Sequence, residues 1–89
     1  MTNVDTNFTE RVLDVVRLIP RGTTRTYKEV AALAGSPNAA RAVGSIMRAN
    51  YREDVPCHRV LRSDGKIGEY NRGGAAAKEK ILRQEGAIR

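Results

Sequence analysis

Apolar residues recur at helical spacing near both ends of the chain. The first such segment runs from about residue 8 to residue 19, where Pro20 and Gly22 stop the helix. Its apolar face consists of Phe8, Val12, Val15, Val16 and Ile19. A last helix is predicted from about Ala75 to Glu85, with Gly86 as its C-terminal stop.

Two short helices between these segments are predicted to form a helix-turn-helix. The first opens with Thr26 and has Glu29 three positions later, which is the spacing of a capping box. Gly35 ends this helix. Ser36 is the predicted cap of the next helix, with Pro37 at its first helical position. Two short helices joined by a tight turn are the outline of a helix-turn-helix.

The second of these helices has an apolar face and an exposed stripe. The side predicted to face the core carries Ala39, Ala42, Val43, Ile46 and Met47. Arg41, Gly44, Ser45 and Arg48 follow the i, i+3, i+4, i+7 pattern, so they share the outer side. Small residues let another backbone approach, and arginines at both ends bind phosphates. A solvated basic surface without a partner is the alternative interpretation.

The segment after Asn50, "YREDVPCHRVLRSDGKIGEYNRGG", shows no helical period. "SDGK" is a turn signal, so Val60–Leu61 and Ile67 are expected to form a short hairpin. The predicted fold class is therefore mainly α with a short hairpin, a single domain resembling a winged helix-turn-helix. Residues 1–7 are predicted to be a flexible tail, and residues 8–89 the domain.

Composition indicates the class of binding partner and the redox setting of the protein. The chain has 89 residues, with 16 Lys and Arg against 10 Asp and Glu, a net charge of +6. Such a surplus favours an acidic partner, usually nucleic acid. A single cysteine cannot form an internal disulfide, which favours a cytoplasmic, reducing setting. We expect no metal, no cofactor and no membrane association, since no cysteine-rich zinc site or long apolar run is present.

The only cysteine and the only histidine are neighbours in "VPCHRV". A lone cysteine is most often a small buried apolar residue. Here His58 and Arg59 would favour the thiolate of Cys57. Glu85, on the inner face of the last helix, needs a partner unless it turns out to water. Cysteine, histidine and a carboxylate form a set used in nucleophilic catalysis.

Adjacency limits how Cys57 and His58 can meet, because neighbouring side chains in an extended segment point to opposite faces. Either the backbone turns sharply at Cys57, or a water links the imidazole to the thiol. A protease or acyl transferase could use the same set. The arginine-edged helix nearby favours DNA instead, and chemistry on a base requires that it be flipped from the stack.

These segments together closely resemble the C-terminal, active-site domain of the O6-alkylguanine-DNA alkyltransferases. The resemblance rests on "TYKEVAALAGSPNAARAVGSIMRAN", "PCHRV", "SDGKIGEYNRGG" and "KEKILRQEG", and covers about residues 8–87. It implies irreversible transfer of the alkyl group from guanine in double-stranded DNA to Cys57, by a monomer that reads the minor groove and needs no cofactor. His58 would deprotonate Cys57 through water, and Glu85 would orient His58.

The resemblance also implies roles for residues around the cysteine. Asn50 would brace the turn that carries it, and Arg41 would fill the gap left by the flipped nucleotide. Tyr27 would crowd the target phosphate, and Tyr70 would donate a hydrogen bond to the guanine, with Asn71 beside it in the substrate pocket. The residues expected at the DNA are Ala40, Arg41, Gly44, Ser45 and Arg48.

The chain departs from the family in three respects. We see no counterpart of the N-terminal domain common in the family, which makes the chain similar in size to the alkyltransferase-like proteins. The segment "YREDV" is charged where the family is often apolar, and Asn71 stands where many members have a smaller residue. The alternative functions are therefore a lesion-binding sensor with an inert cysteine and, more distantly, a helix-turn-helix regulator.

Overall fold

The computed structural model describes residues 4–64, 66–68 and 70–88. In chain order the elements are α1 (Val4–Arg17), β1 (Arg25–Thr26), α2 (Tyr27–Leu33), α3 (Ala40–Ala49), a 3-10 turn (Cys57–Arg59), β2 (Val60–Leu61) and α4 (Gly74–Gln84). The mainly helical fold class is confirmed, and α2 and α3 pack against each other as the predicted helix-turn-helix. Among the helices of the described ranges, none is long and apolar enough to span a membrane.

Helix α1 begins at Val4, earlier than predicted, so residues 4–7 of the predicted tail are helical, while residues 1–3 lie outside the described residues. Its inner face is the predicted one with the addition of Leu13, because Phe8, Val12, Val16 and Ile19 are all buried. Val15 is partly buried against the same core. The helix therefore covers one side of the helix-turn-helix.

The capping box at the start of α2 is confirmed. The Glu29 backbone N–H donates to Thr26 Oγ1 at 3.0 Å, and the Thr26 N–H donates to Glu29 Oε1 at 2.8 Å. Two orphan amides at the helix start are thus satisfied by each other's side chains. This fixes the direction in which α2 leaves β1.

The predicted start of α3 at Ser36 and Pro37 is wrong. Gly35 has φ +95°, and the Ser36 N–H bonds back to the Ala31 carbonyl at 2.9 Å, so Ser36 belongs to the C-terminal cap of α2. The chain makes a further turn, closed by the Ala39 N–H on the Ser36 carbonyl at 2.9 Å. Helix α3 then begins at Ala40 without a side-chain cap.

The two-stranded sheet differs from the predicted hairpin. Strands β1 and β2 pair in parallel, with Arg25 opposite Val60 and Thr26 opposite Leu61. A parallel pair needs a crossover connection, which α2 and α3 supply. Ile67 is not in a strand, although the Arg62 N–H donates to the Lys66 carbonyl at 3.1 Å and closes the expected turn. Gly65 of that turn lies outside the described residues.

The core lies between α1, α2, α3 and the segment around the 3-10 turn. Its fully buried side chains include Val12, Val16, Val30, Val43, Val55 and Val60, and Leu82 of α4 is also fully buried. On α3 the structure buries Val43 and Met47 and partly buries Ala39 and Ile46, as predicted. Ala42 is exposed, contrary to prediction, because it lies at the edge of the helix face that meets the core.

Candidate active site and nucleic-acid interface

A cleft of about 520 Å³ runs between α3, the 3-10 turn and the loop that precedes α4. The cleft brings together most of the predicted site residues, which are Tyr27, Ala40, Arg41, Gly44, Arg48, Cys57, Tyr70 and Asn71. The same wall therefore carries the cysteine and the stripe of α3. His58, Glu85 and Asn50 are not among the residues that line the cleft.

The stripe on α3 is open to an incoming ligand along most of its length. Arg41 and Arg48 are exposed, and a methyl group added at Gly44 would meet nothing within 4 Å. Ser45 is separated from the cleft, because it lines a second groove beside Thr9 and Leu13. Its hydroxyl donates to the Arg41 carbonyl at 3.4 Å.

Cys57 is the first residue of the 3-10 turn and is 5% exposed. Its N–H donates to the Val55 carbonyl at 2.8 Å, and the Arg59 N–H donates to the Pro56 carbonyl at 2.9 Å. The backbone therefore turns sharply at the cysteine. The turn lets Cys57 face the cleft while His58 faces α4.

Glu85 points inward, and its side chain is 8% exposed. His58 Nε2 lies 2.9 Å from Glu85 Oε2, and the His58 side chain is 13% exposed. Since the carboxylate accepts at Nε2, a neutral His58 carries its proton on Nε2 and has Nδ1 as its free acceptor. The predicted contact between His58 and Glu85 is therefore present in the structure.

Arg59 binds the same carboxylate, a contact that sequence reasoning missed. Its Nε donates to Glu85 Oε1 and its Nη2 to Glu85 Oε2, both at 2.9 Å, while Nη1 donates to the Ile19 carbonyl at 2.8 Å. These hydrogen bonds, followed by the one from His58, lower the pKa of Glu85 from 4.5 to about 2. Arg59 is thus committed to Glu85 rather than to the Cys57 thiol. The signal available in the sequence was the inward carboxylate itself, which required a cationic partner.

Asn50 lies behind the turn and spans the loop that leads to it. The residue is 6% exposed, and its side-chain amide donates to the Val55 carbonyl at 3.4 Å. Its Oδ1 accepts the Arg52 N–H at 3.1 Å. The charged "YREDV" segment is also tied to α1, because Arg17 Nε donates to Asp54 at 2.9 Å. The structure therefore gives this segment partners on α1 rather than in the cleft.

Tyr27 and Tyr70 line the same cleft as the cysteine. The ring of Tyr70 meets that of His58 edge to face, with centroids 6.3 Å apart. Burial, and then the nearby Cys57, raise the pKa of Tyr70, so its hydroxyl keeps its proton at neutral pH. Gly68, with φ +78°, lets the loop pass close to Tyr27, whose hydroxyl lies 3.7 Å from the position of an added Cβ.

The side chain of Asn71 joins the cleft to the end of α3. Its Nδ2 donates to the carbonyls of Arg48 and Asn50, both at 2.7 Å, and contacts that of Met47 at 3.2 Å. Its Oδ1 is buried without a hydrogen-bond partner in the described part of the chain. The amide thus satisfies orphan carbonyls at a helix C-terminus. Its predicted contact with substrate stays a prediction.

Lys78 is a second residue that the sequence interpretation missed. It is 1% exposed, and its Nζ donates to the Val60 carbonyl at 2.6 Å and lies 5.8 Å from the Tyr27 ring centroid. Burial lowers the pKa of Lys78 from 10.5 to about 8, opposed by the nearby Cys57. Lys78 precedes Leu82 by four residues and Glu85 by seven, so helical spacing alone places it on the inner face.

Comparison with known proteins adds to this geometry. A family model described as the DNA-binding domain of 6-O-methylguanine DNA methyltransferase matches residues 7–87. The chain is 51% identical over 82 residues to the methylated-DNA–protein-cysteine methyltransferase of Mus musculus, covering 90% of this chain and 39% of that protein. It is also 51% identical over 82 residues to the protein of that name from Methanothermobacter thermautotrophicus, covering 91% of this chain and 45% of that protein.

Two solved complexes have similar folds. Mycobacterium tuberculosis OGT in complex with DNA has a TM-score of 0.82 and 41% identity, over 96% of this chain and 49% of that one. S. pombe Atl1 in complex with DNA containing O6-carboxymethylguanine has a TM-score of 0.79 and 37% identity, over 91% of this chain and 77% of that one.

The chain spans less than half the length of the curated relatives named above, at 39% and 45%. The family model nevertheless matches residues 7–87, which include α2, α3, the cysteine and Glu85. The chain therefore belongs to the 6-O-methylguanine DNA methyltransferase family, through its DNA-binding domain.

Proposed function

We propose that this chain binds double-stranded DNA containing O6-alkylguanine and transfers the alkyl group irreversibly to Cys57. The observation that carries the proposal is that Cys57 and the exposed stripe of α3 line the same cleft, with His58 held on Glu85 behind it. We further infer that the matched domain is the C-terminal, active-site domain of the family. It would thus carry the reacting cysteine as well as the DNA-binding helix.

DNA would lie along α3, with the minor groove against its small residues. Ala40 and Gly44 leave room for the close approach of a groove wall, and Arg48 would contact phosphate. Arg41, exposed at the opposite end of the stripe, would enter the stack in place of the flipped nucleotide. Tyr27, at the cleft wall, would crowd the phosphate of that nucleotide.

The reaction would begin with loss of the thiol proton. A neutral His58 presents Nδ1 as its free acceptor, and a bridging water would carry the proton of Cys57 to it. Glu85, on Nε2, would orient the ring and stabilise the resulting imidazolium. The three residues thus act as nucleophile, base and orienting carboxylate.

The transfer itself is a displacement at the alkyl carbon. A new S–C bond forms between Cys57 and the alkyl group while the C–O6 bond breaks, and the electron pair of that bond stays on guanine. The hydroxyl of Tyr70, which is protonated at neutral pH, would donate a hydrogen bond to the leaving guanine. The product is a thioether, which cannot react again, so each chain would act once.

Intact mass after incubation with duplex DNA containing O6-methylguanine tests this proposal. We expect the mass to rise by one methylene group per chain, with peptide mapping placing the methyl group on Cys57 and no further turnover. Cys57→Ala should bind the same DNA with similar affinity and remain unmodified. An unmodified Cys57 in a chain that still binds lesion DNA tightly would contradict the transferase function.

That outcome would favour a second function, a sensor that binds alkylated DNA and recruits other repair factors. One observation favours it, because Cys57 is only 5% exposed and buried cysteines are commonly inert. S. pombe Atl1, solved with damaged DNA, shares the fold. The contact between His58 and Glu85 favours the transferase, since a sensor needs no base beside its cysteine.

A further inference from the structure

The carboxylate of Glu85 is shared unequally between two neighbours. Arg59 donates to both of its oxygens, whereas His58 reaches only Oε2. The side chains are 16%, 13% and 8% exposed for Arg59, His58 and Glu85, so water screens their interactions weakly. The third anchor of Arg59 is the Ile19 carbonyl, which follows α1. Arg59 therefore holds the carboxylate by two hydrogen bonds, and a third hydrogen bond to Ile19 fixes Arg59 itself, independently of His58.

The sharing of the Glu85 carboxylate between Arg59 and His58 affects whether the neutral or the protonated imidazole of His58 is more stable. A carboxylate without another partner, at hydrogen-bond distance, would favour imidazolium over neutral imidazole. The guanidinium of Arg59 offsets the charge of Glu85 and adds a like charge close to the ring. Both effects favour the neutral ring, which is the form that can accept a proton from Cys57.

We propose that Arg59 is a positioning residue that holds Glu85 against His58 Nε2 and keeps His58 neutral before Cys57 gives up its proton. This inference rests on the proposed transferase function for its effect on rate. Its effect on His58 protonation does not depend on that function. The two halves can therefore be tested separately.

Few other groups face this cluster in the described part of the chain. Tyr70 meets the His58 ring edge to face and stays neutral at neutral pH. The C-terminal end of α4 contributes Glu85 itself, while Lys78 of α4 is bonded to the Val60 carbonyl. The segment after α1 contributes the Ile19 carbonyl, while its Arg21 is exposed and donates to the Gln84 carbonyl. Cys57 precedes His58 in the turn. Arg59 is thus the cation bonded directly to the carboxylate.

The first test needs no DNA. His58 is the only histidine of the chain, so its imidazole proton signals can be followed alone by NMR during a pH titration. In Arg59→Met the midpoint should move to higher pH by about one unit, as expected when a carboxylate loses its cationic partner. Arg59→Lys keeps the charge but loses the two-point contact, and its midpoint should lie between those of Arg59→Met and wild type.

The second test follows alkyl transfer in single-turnover kinetics as a function of pH. Arg59→Met should move the acidic limb of the rate profile by the same interval, which is a loss of up to about tenfold at pH values below the wild-type midpoint. At alkaline pH the rate should approach that of the wild type. Arg83→Met, which removes an exposed arginine paired with Glu79, is the matched control and should leave the profile unchanged.

Each outcome decides one question. An unchanged His58 titration in both Arg59 variants would overturn the proposal, whether or not transfer occurs. A loss of rate by one factor at every pH, with an unchanged titration, would reduce Arg59 to a structural contact. A shifted titration in a protein that never transfers a methyl group would preserve the role of Arg59 and reject the transferase function. If Arg59→Met does not fold, the Arg59→Lys titration gives the decision.

Discussion

Replacing Glu85 by glutamine should destabilise the protein by an amount that depends on pH. The carboxylate is 8% exposed and bonded to Arg59 and His58, and its pKa falls from 4.5 to about 2. A difference of about 2.5 pKa units corresponds to about 3 kcal/mol, as an upper estimate. Because the folded-state pKa is the lower one, this contribution is complete above pH 4.5 and is lost as pH falls towards 2.

Urea unfolding of wild type and Glu85→Gln at several pH values measures this difference. We expect the variant to be less stable by about 3 kcal/mol at pH 7 and by about 1.4 kcal/mol at pH 3, with no difference below about pH 2. Glu79→Gln, on the exposed side of the same helix and paired with Arg83, should change stability by less than about 1 kcal/mol. A loss in Glu85→Gln that stays the same from pH 7 to pH 3 would refute the electrostatic reasoning and point to packing.

Four further experiments test other contacts. The stability of the wild type should rise with pH between about 8 and 10.5, because in that range only the unfolded chain keeps the Lys78 proton, and Lys78→Met should remove this rise. Urea unfolding at both ends of the range measures it, and an equal rise in wild type and variant would contradict the prediction. Glu85→Gln should slow methyl transfer more than it weakens DNA binding, and equal transfer rates for variant and wild type would remove Glu85 from the mechanism. Arg41→Ala should slow transfer from duplex DNA much more than from a single strand carrying the same lesion, whereas Arg48→Ala should lack this asymmetry; an equal loss on both substrates would make Arg41 an ordinary backbone contact. Asn71→Ala should destabilise the fold by about 1–3 kcal/mol in urea unfolding, because it leaves carbonyls at the end of α3 without a donor, and a neutral effect would show that water replaces the amide.

Local patterns in the sequence were sufficient for the helices and for the exposed stripe. The capping box of α2 depends on two residues three positions apart, and both of its hydrogen bonds are present. The faces of α1 and α3 follow from a 3.6-residue period. The predicted start of α3 was wrong because the helix-start signal of Ser36 and Pro37 competes with the C-terminal cap of α2. The C-terminal cap of α2 takes Ser36 first, through its bond to the Ala31 carbonyl.

Contacts between segments that are far apart in the sequence could not be predicted from local patterns. The hairpin prediction placed Val60 and Leu61 next to their sequence neighbours, but their partner is β1, some 35 residues earlier in the chain. A two-residue strand carries too little pattern to specify its partner. In the same way, Arg59 was assigned to the neighbouring thiol, although its partners are Glu85 and the Ile19 carbonyl. The buried Lys78 was missed because a lysine is ordinarily expected at the surface.

Under the proposed function, DNA binding and alkyl transfer depend on different parts of the structure. The surface that would meet DNA comes almost entirely from one helix, so substitutions at Arg41 or Arg48 act on a rigid element and should leave the cysteine turn unchanged. The reacting cysteine instead depends on three separate segments, because Arg59 is anchored on Ile19 and Glu85 at the same time. Losing Arg59 removes two of the three hydrogen bonds that hold the carboxylate, without touching α3. Binding and transfer should therefore separate in mutants: changes on α3 act first on affinity and flipping, and changes around Glu85 act first on the rate once the base is bound.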